Sequence, residues 1–508
     1  MNNAEEFLRQ KELFQLGELP TETPHPKTLT LSRWAQEDLD QALRVLHEVD
    51  LEALQKTAAR ETELESFFAT VAETLRRGHR IFLVGCGATG RLSLSLEYLW
   101  RRRHPKSQQV LSLMAGGDVA LVHSLEGFED FPAYGARHLR QMGFGPDDLL
   151  IGSTEGGETP YVIGAVEEAT RISSRPPLFL YCNTTRLLIE KIERSRRVLT
   201  HPGIQSYCLE TGPMALTGST RMQASTVLML VVGLALEFPD DIEGAFQELE
   251  SWIRFLRNSD PCALKPFILR ESETYQENDC TIYSTNDLAI TTFTDTTERA
   301  PTFNLPPFDN PTMLTDRHSY TYVSIPAAST SDQAWFHLLA REPRPLEWPE
   351  VHGKTSKSYL LSFDFSRKAH LFRQSLLPQA QHHAFTISTT DGDKDLTFQF
   401  RGIEEHFPLP QSTELFTQLT AKLLLNMHST LVMGRLGRFE GNLMTWVTPS
   451  NGKLVDRAAR YTQILLQRRG HGDFDYDEIV RAQFAAKAQL SPQESIVHKT
   501  MDLLLGVG

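Results

Sequence analysis

Apolar residues recur near a 3.6-residue period at Trp34, Leu39, Leu43 and Leu46, with polar residues between them. This predicts helices over 31–77. The pattern then changes. Ile81, Phe82, Leu83 and Val84 are consecutive and apolar, which predicts a buried strand over 81–86, followed by a glycine turn and a helix over 91–103. Further strands are expected at 110–115, 149–153, 178–181 and 206–209, with helical segments between most of them. Apolar strands alternating with helices predict a parallel sheet covered on both faces. The longest apolar run, 227–238, is too short for the roughly 18 residues a membrane span needs and reads as a buried helix.

Periodicity weakens over 256–275, where Pro261 and Pro266 stand, and a domain boundary is expected there. Beyond it lies a second, less regular α/β region over about 280–450. Its expected strands are 281–283, 320–325 and 359–363, and its proline-rich stretches 301–311 and 343–349 read as loops. Residues 412–435 predict a strongly apolar helix. Ser491, Pro492 and Glu494 have the spacing of a helix start, with Ser as N-cap, Pro at the first helical position and Glu at the third.

Composition narrows the function. The 508 residues allow two or three domains, and 40% hydrophobic with 23% charged residues is ordinary for a globular chain. A net charge of −13 argues against nucleic acid or an anionic membrane as the main partner. The short basic clusters 101–103 and 194–197 read as solvated surface. Five cysteines without a CxxC pair, and an N-terminus without the apolar core of a signal peptide, fit a reducing cytoplasm.

The chemistry lies in turns. Gly85-x-Gly87-x-x-Gly90 follows a strand and opens a helix, as a dinucleotide fingerprint does, and Asp118 follows the next strand. The spacing to Asp118 is long, and a nicotinamide or flavin enzyme is the lesser reading. Two other loops, 151–165 and 216–225, repeat the sequence of turn then helix and add hydroxyls. Helix N-termini with free N–H groups favour an anion. Three such loops rich in Ser and Thr suit a sugar phosphate better than a pyrophosphate, which needs mainly bare glycine backbone. The candidate ligands are Gly87, Thr89, Gly90, Ser153, Thr154, Thr159, Ser219 and Thr220.

These motifs resemble a known family. "LPTETPHP" (19–26), "VGCGATGR" (84–91), "AGGDVALVHSLEGFED" (115–130), "GGETPYVIGA" (156–165) and "TGPMALTGSTRM" (211–222) resemble the sugar isomerase (SIS) domain of the N-acetylmuramic acid 6-phosphate etherases and of glucokinase regulatory protein. In the second half, "TDTTERAPTF" (294–303), 420–444 and "SNGKLVDRAAR" (450–460) resemble the etherase. The resemblance implies a tandem SIS protein of the α/β class. Two doubly wound parallel-sheet domains would pack as a pseudo-dimer, with a helical segment at 1–78, the first domain at 79–265, a degenerate second at 266–450 and a helical tail at 451–508.

By the same resemblance Glu126 and Glu298 are the catalytic carboxyls and Lys453 a substrate ligand. Each half lacks what the other holds. Leu99 stands where the first copy would need a glutamate, Glu97 is out of register, and "YSTNDLAI" (283–290) replaces a glycine loop in the second copy. One composite pocket is therefore expected, binding a sugar 6-phosphate without metal or cofactor. Glu126 would take the C2 proton of N-acetylmuramic acid 6-phosphate and Glu298 would protonate the departing lactate. Gly156, Met214 and Gln223 depart from the etherase pattern. A regulatory reading, a non-catalytic sensor with a sugar kinase as partner, stays open. His428 is expected to be a buried core histidine.

Overall fold

The computed structural model describes residues 3–14, 16–123, 125, 127–312, 317–390 and 394–507. The early helical pattern folds as α1 (Leu39–Ala58) and α2 (Glu61–Arg76). Asp38 caps α1 by accepting from the Gln41 N–H, and Leu39, Leu43 and Leu46 are buried.

The first sheet holds β1 (Ile81–Gly85), β2 (Val110–Met114), β3 (Leu149–Ser153), β4 (Leu178–Tyr181) and β5 (Gln205–Cys208). All are parallel, in the order β2-β1-β3-β4-β5. Both faces of β1 are covered. Ile81 and Leu83 enter one hydrophobic core, Phe82 and Val84 the other, so the strand reads as a continuous apolar run. The helix following β1 is α3 (Ala88–Arg103), and that following β3 is α4 (Pro160–Ile172). Strand order reverses between β1 and β3. Their following loops, 86–90 and 154–159, therefore open side by side at the switch point where doubly wound sheets take ligands. A last apolar helix, α5 (Gln223–Glu237), is buried almost throughout.

The second sheet is mixed, which departs from the expected parallel sheet. It holds β6 (Cys280–Ser284), β7 (Thr321–Ser324), β8 (His382–Thr389), β9 (Asp395–Phe400) and β10 (Ile403–Pro408), in the order β10-β9-β8-β6-β7. Only β7, β6 and β8 run parallel; β9 and β10 fold back as hairpins. The reason is chain length. Two residues, Arg401 and Gly402, both at positive φ, join β9 to β10, and a connection that short closes only an antiparallel pair.

Two further expectations are corrected. Residues 359–363 are not a strand: Lys357–Ser362 is a helix whose N-cap, Ser356, accepts from the Tyr359 N–H. Around the expected domain boundary, Pro261 and Pro266 each stand in the first turn of a helical element, and Lys265–Gln276 is a full helix. The Ser491 signal forms a local turn in which its N–H reaches Glu494, and the terminal helix begins four residues later, with Ser495 as cap.

The halves meet through α3 and α5 on one side and α6 (Ala289–Phe303) and α7 (Glu414–Arg435) on the other. A strap from the second half, 341–351, crosses onto the first. Leu346 and Trp348 sink into the first half's core, Trp348 against Phe128 and Tyr134. Arg341 brackets the Asp118 carboxylate at 2.5 and 3.0 Å and stands 3.2 Å from Glu97. Arg344 reaches Glu97 at 2.7 Å. Burial would raise the Glu97 carboxyl, but the two guanidiniums hold it far below the ordinary range. Asp118 is thus occupied, which removes the acidic residue that a dinucleotide reading needs.

Removing the shared cation leaves two buried carboxylates short of countercharge. Arg341→Met is expected to lower unfolding stability by about 3–5 kcal/mol in urea titrations. A loss under about 1 kcal/mol would show that the strap is not fastened by charge.

Candidate functional site

The loop 86–90 is built by its glycines. Gly87 caps α3 at φ +53°, a region side chains rarely occupy, and a Cβ on Gly85 would stand 2.3 Å from the Thr89 carbonyl carbon. The Thr89 hydroxyl is used internally: it accepts from the Cys86 N–H and donates to the Cys86 carbonyl, both at 2.9 Å. Among the described residues the N–H groups of Gly87 and Ala88 find no acceptor, as an anion cradle would require. Gly90 is buried in the first turn of α3.

The second loop repeats this division. Ser153 ends β3 and is buried. The hydroxyls of Thr154 and Thr159 bond each other at 2.9 Å and so brace the loop; that contact uses one of their two O–H donors. The N–H groups of Gly156 and Gly157 lack acceptors among the described residues. Asn183 ties this loop down, donating to the Gly156 carbonyl and to Thr21, and Thr21 in turn accepts the Gly218 N–H. The early segment 19–26 is therefore a clip across three loops. Its Glu22 is clamped by Arg457 at 2.6 Å. Ser219 is buried and its hydroxyl has no partner among the described residues; Thr220 is half-buried. Met214 is core, and Gln223 is structural, bonded to Asp50 and to the Ala215 N–H.

Glu298 is the decisive placement. It lies on α6, in the second half, yet lines a narrow cavity of about 20 Å³ together with Ala88 and Ser95 of α3, Ser225 of α5, and Asp295 and Lys422. It is 5% exposed and makes no hydrogen bond or ion pair among the described residues. Burial pushes its carboxyl up, against the pull of Arg91, Arg221 and Lys422. Asp295, one turn earlier, is saturated: it accepts from Arg221, Arg299, Asn426 and Ser429. Lys422 donates to the Arg221 carbonyl and to Asn426, and burial lowers its ammonium to about 8.

Lys453 stands at the edge of the same region, 3.0 Å from Glu158 and 3.8 Å from Glu129. Burial raises Glu158, but Lys453 and Arg194 outweigh it and hold the carboxyl at about 2. Glu126 lies outside the described residues. His428 is fully buried, 3.1 Å from Glu271, as a core histidine.

Reading by spacing missed Arg91, Arg221, Lys422 and Glu155. Arg91 ends the glycine-loop motif, Arg221 lies within "TGPMALTGSTRM" and Lys422 within the expected apolar helix 412–435, so a basic residue inside each motif was the available signal. Arg91 spans the halves, reaching Thr297 at 3.4 Å and the carbonyls of Ala120 and Leu121.

Comparison with known proteins fits this geometry. The N-acetylmuramic acid 6-phosphate etherase of Prochlorococcus marinus (strain MIT 9303) is 32% identical over 239 residues, which cover 46% of this chain and 70% of that relative. The chain belongs to the N-acetylmuramic acid 6-phosphate etherase family. The etherase of Streptomyces coelicolor is 31% identical over 221 residues, 43% of this chain and 66% of its own length. About a third of these etherases is unmatched. The family model of the glucokinase regulatory protein N-terminal SIS domain matches residues 63–170. Among solved structures, tagatose-6-phosphate ketose/aldose isomerase from Escherichia coli superposes at a TM-score of 0.44 and 15% identity, covering 84% of this chain and 99% of that one.

A raised carboxyl pKa has a definite sign. Ionised Glu298 costs stability above its folded-state pKa, and the cost fades as pH falls to the unfolded value near 4.3. Glu298→Gln is expected to raise stability at pH 8 by about 1 kcal/mol, with the gain gone near pH 4. Thermal melts at both pH values check this; a loss of stability would make Glu298 a structural residue.

Proposed function

We propose that this chain binds a sugar 6-phosphate at the switch point of its first sheet and acts there as a carbon–oxygen lyase of the etherase type. The observation that carries the reading is Glu298: a buried carboxyl without a partner among the described residues, supplied by one half and lining a cavity together with Ala88 of the other half's glycine loop.

The chemistry follows from the groups present. The substrate would be N-acetylmuramic acid 6-phosphate, the molecule in the relatives' name. Opening of its ring exposes an aldehyde that acidifies the C2 proton. Glu126 takes that proton, the C3–O bond breaks, and Glu298 gives a proton to the departing lactate oxygen. Water then adds at C3. A group that donates must hold its proton near neutral pH, and the burial that raises Glu298 supports this role. The N–H groups of Gly87, Ala88, Gly156 and Gly157 would hold the phosphate, at the two loops that meet between β1 and β3.

The match of 63–170 to the regulatory protein's SIS domain supports a second reading, a sensor that binds the sugar phosphate without turnover and holds a sugar kinase.

Purified chain is expected to release D-lactate from N-acetylmuramic acid 6-phosphate. Glu298→Gln and Glu126→Gln should each cut the rate by about 10²–10⁴-fold while the fold is kept. Binding of the phosphosugar in a thermal shift with no lactate after hours would favour the sensor. Neither binding nor release would end both readings.

A further inference from the structure

Glu155 takes no part in the chemistry above, yet it immediately precedes the two glycines of the proposed cradle. It follows Thr154 directly beyond β3, in the loop whose Gly156 and Gly157 amides lack acceptors. Such a loop is shaped for an anion. A carboxyl is the wrong group to find there. Glu155 is 7% exposed, and its Oε1 has no hydrogen-bond partner among the described residues. Its own backbone N–H favours the ionised form, but among the described residues it makes no ion pair.

The groups that act on it come from every side of the site. Lys453, on the helix Gly452–Arg468, is the one cation among its main electrostatic neighbours, and it is already shared by Glu158 and Glu129. Glu298 on α6 and Glu129 oppose ionisation. Burial raises the thiols of Cys86, in the β1 loop, and Cys182, just beyond β4, and Glu155 adds to both shifts. An ionised Glu155 would thus sit with two other carboxylates around one shared ammonium. Bringing in a phosphate dianion would add like charge at short range, and only a proton can relieve it.

We propose that Glu155 binds the phosphate as a neutral acid, donating its O–H to a phosphate oxygen, so that phosphosugar binding by this chain takes up one proton. The inference deepens the sugar-phosphate reading and rests on it. Burial already places the carboxyl at about 7, so the proton is available at neutral pH and becomes scarce above it. Affinity should fall by up to about tenfold per pH unit above 7. The phosphate's own ionisation near pH 6 works in the opposite direction, favouring binding as the dianion forms. Wild-type affinity should therefore peak between these two values, whereas a chain with a neutral amide at 155 should reach a plateau and stay there.

Isothermal titration calorimetry with N-acetylglucosamine 6-phosphate, at pH 7.8 in two buffers of different ionisation enthalpy, counts the protons. Wild-type protein is expected to take up close to one proton and to bind several-fold more weakly at pH 8 than at pH 7. Glu155→Gln should take up none and hold its affinity across that interval. Glu155→Ala should also lose the pH dependence while binding more weakly, which guards against an effect of the amide alone. The inference is overturned if Glu155→Gln keeps the wild-type uptake and pH slope, if wild-type shows neither, or if unphosphorylated N-acetylglucosamine binds with the same uptake. If wild-type binds no phosphosugar between pH 6 and 8, the sugar-phosphate reading itself fails, a result distinct from binding without proton uptake.

Discussion

The carboxylate of Asp295 is the point on which the two halves agree. It accepts from Arg221 of the first half and from Arg299, Asn426 and Ser429 of the second, all out of contact with water. A buried charge of this kind tolerates no loose geometry, because each missing partner would leave an uncompensated ion. The consequence is positional. Asp295 and Glu298 lie three residues apart on α6, so one face of the helix carries both. Fixing the first against Arg221 aims the second at the cavity. A saturated carboxylate thus orients an unsaturated one.

Much of this was legible in the chain and some was not, for physical reasons. β1 could be read because a strand buried on both faces is apolar at every position, and α1 because one buried stripe recurs at helical spacing. β8 to β10 were hidden, since strands such as "IEEHFP" keep polar residues on an open face and look like loop. "KSYLLS" looks like strand, but Ser356 caps it and the surrounding core selects a helix, so tertiary context overrode local preference. In the site, motifs gave Glu298 and Lys453 their places, and Glu126 falls outside the described residues. The electrostatics stayed invisible. That Lys453 is shared by Glu158 and Glu129, while Glu155 and Glu298 make no ion pair among the described residues, depends on loops brought together from opposite ends of the chain.

The predicted hydroxyl cradle also changes meaning in three dimensions. The Thr89 hydroxyl both accepts and donates within its own loop, and Thr154 and Thr159 bond each other, while the amides of Gly87, Ala88, Gly156 and Gly157 have no acceptor among the described residues. A Ser- or Thr-rich turn at a helix start can therefore owe part of its hydroxyl content to loop shape and leave main-chain N–H groups as free donors.

The strap at 341–351 bears on how any molecule reaches the interior. With Trp348 wedged among aromatic rings of the opposite half and Arg341 locked to Asp118, the halves cannot swing apart like a clamshell without extracting an indole and stripping an ion pair. Traffic to the cavity must therefore pass by local shifts of short segments around a rigid frame. In such a molecule, the rate of entry would be governed by loop breathing, and the two halves would behave hydrodynamically as one body whether loaded or empty.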